Sequence, residues 1–242
     1  MYNNLKRFYY PQVCKLNQHL LLPVELIRHI FALRLNINEQ IVLFNGQGQQ
    51  YIADIIVLER KKVVVEIVDI KHSVAPTLEI TLGLCIIAND KMDFAIQKAV
   101  ELGVSKIIPL ISERSQVLSN VKISSKLNHW QSIVYSSCEQ CYQDYAPIVN
   151  TPIKLTELIT SCEYDYKTWL SLKNNHRVGT IHDKTRILLV VGPEGGFNLE
   201  EEHLMSENSF IPLNLGKLVL RSETAVCAGL SVINYKLGNY SG

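Results

Sequence analysis

The sequence has no apolar run near the roughly 18 residues that a membrane-spanning helix requires, which argues against an embedded protein. Its opening, Met1 to Gln12, lacks the continuous apolar stretch of a secretory signal, so the expected location is the cytoplasm. Charge of one sign is also missing: 24 Lys and Arg stand against 23 Asp and Glu, a net charge of +1. Bulk electrostatics therefore cannot supply a nucleic-acid grip, and any such contact has to come from shape and particular side chains. Six cysteines are spread thinly through 242 residues, too sparse for a disulfide scaffold. The one close pair, Cys138 and Cys141, has only His129 nearby, short of the four ligands of a structural zinc site, so no metal is expected.

What is present is an ordinary globular balance, with 47% apolar residues, and a change of rhythm along the chain. Residues 1–72 carry a small basic excess, nine Lys and Arg against six Asp and Glu. They read as one helix, Pro23 to Leu35, and short strands. Ile41 to Phe44 and Tyr51 to Leu58 flank Asn45-Gly46, a pair suited to a tight hairpin turn, and Arg60-Lys61-Lys62 marks a second turn. This pattern predicts a small β-barrel-like module, followed by a linker at Lys71 to Thr77.

From Ile80 onward strands alternate with helices, which predicts an α/β domain around a mostly parallel sheet. Strands are expected at Ile80 to Ile87, Lys106 to Ile111, Ile187 to Val191 and Phe210 to Leu215. Helices are expected after an N-cap at Asp93, over Ser125 to Gln140, from Leu199, and over Glu223 to Leu237 behind an N-cap at Ser222.

Two segments can carry chemistry. In the first, Leu188 to Val191 delivers the chain into Gly192-Pro193-Glu194-Gly195-Gly196-Phe197-Asn198, and a helix begins at once. The glycines permit a sharp turn and close approach of a ligand to the main chain. Asn198 and Glu201 have the spacing of a capping box. Glu194, Glu200, Glu201 and Glu202 would repel a phosphate from this helix start, so a neutral or cationic ligand fits better. A tight connection with no ligand is the alternative. In the second segment, Leu215-Gly216 opens a loop that ends at Arg221, just before an apolar helix. A cation at a helix N-terminus opposes the macrodipole, which implies either a function or an ion pair with Glu223 or Glu194.

Gly192-Pro193-Glu194-Gly195-Gly196, Leu215-Gly216 and Leu220-Arg221-Ser222-Glu223-Thr224-Ala225 resemble the bacterial 16S ribosomal RNA uridine-N3 methyltransferases of the SPOUT class. Further matches are His29 to Arg34, Phe44-Asn45-Gly46, Lys91 to Val104, Ser112-Glu113-Arg114 and Cys138 to Cys141. The resemblance implies a C-terminal α/β trefoil-knot domain (73–242) and a small N-terminal PUA-like β-barrel domain (1–72) that binds RNA. It also implies S-adenosylmethionine as cofactor, 16S rRNA within the small ribosomal subunit as partner, and a homodimer. The cofactor residues would be Leu172, Gly192, Glu194, Gly195, Gly196, Leu215, Gly216 and Leu220. Arg221 and Glu223 would be catalytic, and Arg7, Arg28 and Arg34 would meet RNA. A different RNA target (a ribose 2′-hydroxyl or a transfer RNA base) and a non-catalytic ribosome-assembly factor are the competing readings. The chain departs from the family at Tyr142-Gln143-Asp144-Tyr145, where glycine and arginine are usual, at Lys217-Leu218, and over Leu170 to Asn174.

Overall fold

A computed structural model describes residues 5–116, 123–172 and 186–239; Lys173 and Asn174 lie outside the described residues. The chain forms two compact units, Met1–Ala75 with Tyr135–Ala146, and Pro76–Val134 with Pro147–Gly242.

The first unit is built on a five-stranded mixed sheet. Its strands are β1 (Lys6–Tyr9), β2 (His19–Leu21), β3 (Gln40–Phe44), β4 (Gln49–Glu59) and β5 (Lys62–His72), in the order β1-β3-β4-β5-β2. The β1–β3 pair is parallel and the others are antiparallel. Alternate residues of β5 (Val63, Val65, Ile67) enter a core with Ile41, Leu43, Tyr51 and Ile55, and helix α1 (Val24–Ala32) adds Leu26, Ile27 and Ile30. Arg60-Lys61 forms a two-residue hairpin turn, since Glu59 pairs with Lys62.

The turn at Asn45-Gly46 is wider than its sequence implies. Phe44 pairs with Gln50, and Asn45 to Gly48 connect the two strands. The buried Asn45 side chain organises it by accepting the N–H groups of Gln47 and Gln49, while Gly46 and Gly48 both take positive φ. Strand β5 also runs through Lys71 and His72, so the expected linker starts later.

The segment Tyr135–Ala146 belongs to this unit. Tyr135 stacks on Tyr9 with ring centroids 3.6 Å apart, and Glu139 accepts the Tyr9 N–H at 2.9 Å. Tyr145 lies against Gly48, where any Cβ would collide with its ring, and donates its hydroxyl to the Ser73 carbonyl.

The second unit is a seven-stranded sheet whose pairings are all parallel. It comprises β6 (Glu79–Cys85), β7 (Lys106–Ile111), β8 (Ile148–Val149), β9 (Ile153–Lys154), β10 (Tyr166–Leu170), β11 (Arg186–Val191) and β12 (Ile211–Leu213). The order is β12-β10-β11-β6-β7-β8, with β9 also on β7. Strand β11 is apolar on both faces because helices cover both. Leu188 and Val190 join a core with Leu158 of α4 (Leu155–Ser161) and Met205 of α5 (Leu199–Glu207). On the other face, α6 (Ser222–Lys236) brings Gly229 so close that a Cβ there would lie 3.1 Å from Leu189. Helices α6 and α2 (Asn89–Glu101) pack together, and Asn234 donates to the Leu102 carbonyl at 2.9 Å. Helix α3 (Ile123–Cys141) begins in this unit and ends in the first.

Three local expectations are corrected. Helix α2 starts at Asn89 with Ala88 as N-cap, because Met92, Ala95, Ile96, Ala99 and Val100 form one buried stripe that begins before Asp93. Asp93 sits inside the helix and pairs with His129 at 2.7 Å. Arg221, not Ser222, is the N-cap residue of α6, and Ser222 is buried in its first turn. Strands β8 to β10 and helix α4 were not anticipated from the sequence.

Candidate functional site

Strands β12, β10 and β11 lie side by side and parallel, so their carboxyl ends open together at one end of the sheet. That is where an α/β sheet offers a crevice. The three following segments, Ser171-Leu172, Gly192–Phe197 and Leu215–Leu220, enclose a cavity of about 310 Å³. This lies at the lower end of the range for small-molecule sites, roughly 300–1,000 Å³.

The geometry of the first glycine segment follows from local chemistry. Gly196 has φ +65° and donates its N–H to the Pro193 carbonyl at 2.9 Å, closing a tight turn. The capping box forms as its spacing predicts. Asn198 Oδ1 accepts the Glu201 N–H at 2.7 Å, and Glu201 Oε2 accepts the Asn198 N–H at 3.0 Å. The other oxygen of the buried Glu201 carboxylate accepts the Glu113 N–H at 3.0 Å. Asn198 Nδ2 donates in turn to the Glu113 carboxylate. The positive end of α5 is thus already occupied by a carboxylate, as expected for a site that does not bind phosphate there.

The second glycine segment is held from β10. Ser171 N–H donates to the Leu213 carbonyl, Asn214 Nδ2 donates to the Leu172 carbonyl at 3.2 Å, and Asn214 Oδ1 accepts the Gly216 N–H at 2.7 Å. Gly216 has φ +113°, a conformation nearly closed to other residues, and no neighbouring atom comes within 4 Å of where its Cβ would be.

Charge at the cavity is of both signs. Glu194 and Glu202 line it, as does Arg114, which follows β7 and donates Nη1 to the Gly195 carbonyl at 2.8 Å. Lys91 of α2 holds Glu194 at 3.1 Å. Burial acts to raise the Glu194 carboxyl. Its backbone hydrogen bonds and the Lys91 ammonium outweigh that and hold it below the usual glutamate range.

The structure brings all eight expected cofactor residues, Leu172, Gly192, Glu194, Gly195, Gly196, Leu215, Gly216 and Leu220, to the wall of this one cavity. Sequence reasoning did not assign Arg114, Ser171, Phe197 or Glu202 to the site, although all four line it. Arg114 had a readable signal, its place at the carboxyl end of a buried strand.

Arg221 is exposed and does not line the cavity, whereas its neighbours Leu220 and Ser222 do. It has no ion pair among the described residues, and Glu194, one candidate partner, is taken by Lys91. Glu223 is half-buried, and its Oε2 is buried without a hydrogen-bond partner among the described residues.

Among the arginines expected to meet RNA, Arg28 and Arg34 are exposed, on α1 and just after it. Arg34 takes φ +55°, and bonds from Arg34 N–H to Phe31 and from Leu35 N–H to Ile30 close the helix in a Schellman pattern. Arg7 is a correction. Its side chain is 4% exposed, lies 2.6 Å from Asp144, and sits over the rings of Phe44 and Tyr142. It is committed inside the first unit.

No group of three or more His, Cys, Asp or Glu side chains among the described residues is placed to hold a metal. Cys138 is buried, which pushes its thiol up to about 12. No helix among the described residues is long and apolar enough to cross a membrane.

The cavity suits a ligand that is part apolar and part cationic. Leu172, Leu215 and Leu220 give it apolar walls, Glu194 and Glu202 line it, and Gly196 and Gly216 leave open space beside the main chain. S-adenosylmethionine has that character.

Comparison with known proteins agrees. The family model of an RNA methyltransferase domain matches residues 74–234, and that of an RNA methyltransferase PUA domain matches residues 22–68. The ribosomal RNA small subunit methyltransferase E of Buchnera aphidicola subsp. Schizaphis graminum is 31% identical over 250 residues, covering 100% of both chains. The crystal structure of the same-named enzyme from Neisseria gonorrhoeae, bound to S-adenosyl methionine, is 36% identical. The match covers 98% of this chain and 100% of that one, with a TM-score of 0.90. A Legionella pneumophila protein solved in complex with the bound cofactor SAM is 33% identical, covers 96% and 98%, and also has a TM-score of 0.90. The chain belongs to the RNA methyltransferase family that contains the ribosomal RNA small subunit methyltransferases E.

Proposed function

We propose that this protein is an S-adenosylmethionine-dependent methyltransferase that modifies N3 of a uridine in 16S ribosomal RNA. The observation that carries the reading is the convergence of both glycine segments and Leu172 on one cavity with apolar walls and acidic lining residues. The names of its relatives and their bound cofactor support it.

The cofactor supplies a methyl group on a sulfonium when bound. Leu172, Gly192, Glu194, Gly195, Gly196, Leu215, Gly216 and Leu220 would hold it, the glycines by leaving their main chain accessible. At the acceptor, the uridine N3–H proton has to leave and the resulting charge has to be stabilised. Arg221 stays protonated and cannot be the base; it binds O4 or O2 and stabilises the uridinate. Glu223 accepts the proton or orients Arg221, and its unpartnered Oε2 is an acceptor with capacity to spare. Much of the rate comes from holding an unstacked base in line with the donor.

The remaining features follow the same reading. Residues 1–72 form a PUA-like barrel that binds RNA through Arg28 and Arg34, and residues 73–242 form a SPOUT domain with a trefoil knot. The protein acts in the cytoplasm as a homodimer on the small ribosomal subunit. Leu172, Leu218 and Val219 line the cavity yet stay exposed, which supports a covering partner, and exposed Arg221 suits an acceptor site shared between subunits.

The test is transfer of labelled methyl from S-adenosylmethionine to small subunits lacking the modification, with transfer RNA as a parallel substrate. Label in 16S rRNA alone is expected. Label in transfer RNA alone, or in neither, rejects the reading.

A further inference from the structure

We propose that Arg114 is a specificity-determining residue of the donor site, and that its guanidinium binds the carboxylate at the amino-acid end of S-adenosylmethionine. The inference rests on the donor reading above and adds to it a residue and a ligand group.

Arg114 follows β7, outside both glycine segments, yet it lines the cavity. It is fixed there in two ways. Nη1 donates to the Gly195 carbonyl at 2.8 Å, and the methylene stem lies flat on Gly195, where a Cβ would come within 3.1 Å of Cδ. The residues beside it are fixed as well, since the Glu113 N–H and carboxylate are both bonded across to α5 and its cap. The guanidinium is therefore pre-positioned, and one neutral carbonyl uses only one of its five donors.

Its nearest acidic candidates are engaged elsewhere. Glu194 is with Lys91, Glu201 is in the capping box, and Glu113 is with Asn198. Arg114 has no ion pair among the described residues, so no carboxylate of the protein holds its guanidinium at the cavity. The wall of the same cavity also carries two acidic residues, Glu194 and Glu202. That arrangement complements a zwitterionic amino-acid end, whose ammonium meets carboxylates and whose carboxylate meets the planar fork of an arginine. A purely cationic ligand would leave Arg114 opposed.

The experiment compares two nucleosides that differ in that end. S-adenosylhomocysteine keeps the amino-acid group, and 5′-methylthioadenosine lacks it. Calorimetric titration of the full chain with each is done for wild type, Arg114→Ala and Arg114→Lys. Arg114→Ala is expected to weaken S-adenosylhomocysteine by about tenfold or more. It should leave 5′-methylthioadenosine within about twofold of wild type. Arg114→Lys should recover part of the loss. Equal weakening of both nucleosides would mean that Arg114 only shapes the Gly195 turn, and overturns the proposal. Unchanged binding of both, with a raised KM for RNA, would assign the guanidinium to the polynucleotide and also overturns it. Wild type binding neither nucleoside would instead reject the donor reading itself.

Discussion

Lys91 Nζ lies 3.1 Å from Oε1 of Glu194, joining the first turn of α2 to the glycine turn after β11 across 103 residues of sequence. Both side chains are about one-third exposed, so the pair is worth only about 0–1 kcal/mol to stability. Its larger effect is to fix one cavity carboxylate. Lys91→Met should lower the melting temperature slightly and weaken S-adenosylhomocysteine binding several-fold in calorimetry; unchanged binding would separate the pair from the site.

The same pair sets a pH dependence. The Glu194 carboxyl is held below its ordinary value of 4.5, so it stabilises the fold above that pH and loses this as pH falls through its folded value. The melting-temperature difference between wild type and Glu194→Gln should therefore be steady near neutrality and shrink below about pH 4.5. A difference that grows in acid would contradict the sign.

In the first unit, the Arg7–Asp144 pair has side chains only 4% and 13% exposed, and Asp144 also accepts from Gln50 and Ser73. Asp144→Ala leaves a buried guanidinium uncompensated and should cost about 3–5 kcal/mol in urea unfolding. Replacing both residues by apolar ones, Arg7→Met with Asp144→Leu, should cost less than the single change. A larger loss in the double variant would mean that hydrogen bonds, not charge, dominate.

Gly216, at φ +113° with open space around its Cα, tests the second glycine segment. Gly216→Ala forces an L side chain into a conformation costing about 1–3 kcal/mol. The exposed loop should relax rather than unfold the domain, so donor affinity should fall tenfold or more while the melting temperature changes little. Equal damage to both would make Gly216 a folding residue.

Much of this was legible in the sequence, for physical reasons that differ by element. Strands β6, β7 and β11 are buried on both faces, and their continuous apolar runs announce it. The Asn198–Glu201 capping box is local and forms as written. Strand β10, Tyr166-Lys-Thr-Trp-Leu, mixes polar and apolar residues because Thr168 is buried with its hydroxyl on the Ile211 carbonyl, a partner 43 residues away. The start of α2 was missed because Asp93 looks like a cap, whereas burial of Met92 draws the helix five residues earlier. Arg7 misled for a similar reason. An arginine reads as surface until its partner, Asp144, is known, and 137 residues separate them. The place of that aspartate in the first unit was invisible until the fold brought Tyr135–Ala146 there.

Arg221, exposed beside the cavity rather than on its wall, should act on the acceptor and not on the donor. Arg221→Ala should lower kcat by two orders of magnitude or more, on the order of 3 kcal/mol, with calorimetric donor affinity within twofold of wild type. Equal loss in both would make it a donor-site or folding residue.

The most direct measurement is nucleoside mass spectrometry of 16S rRNA after wild-type protein and S-adenosylmethionine have acted on small subunits that lack the modification. The account predicts a methyl on the base of a single uridine, at N3, absent with Arg221→Ala. A methyl on a ribose hydroxyl, or no methyl from protein that binds the donor, would contradict it.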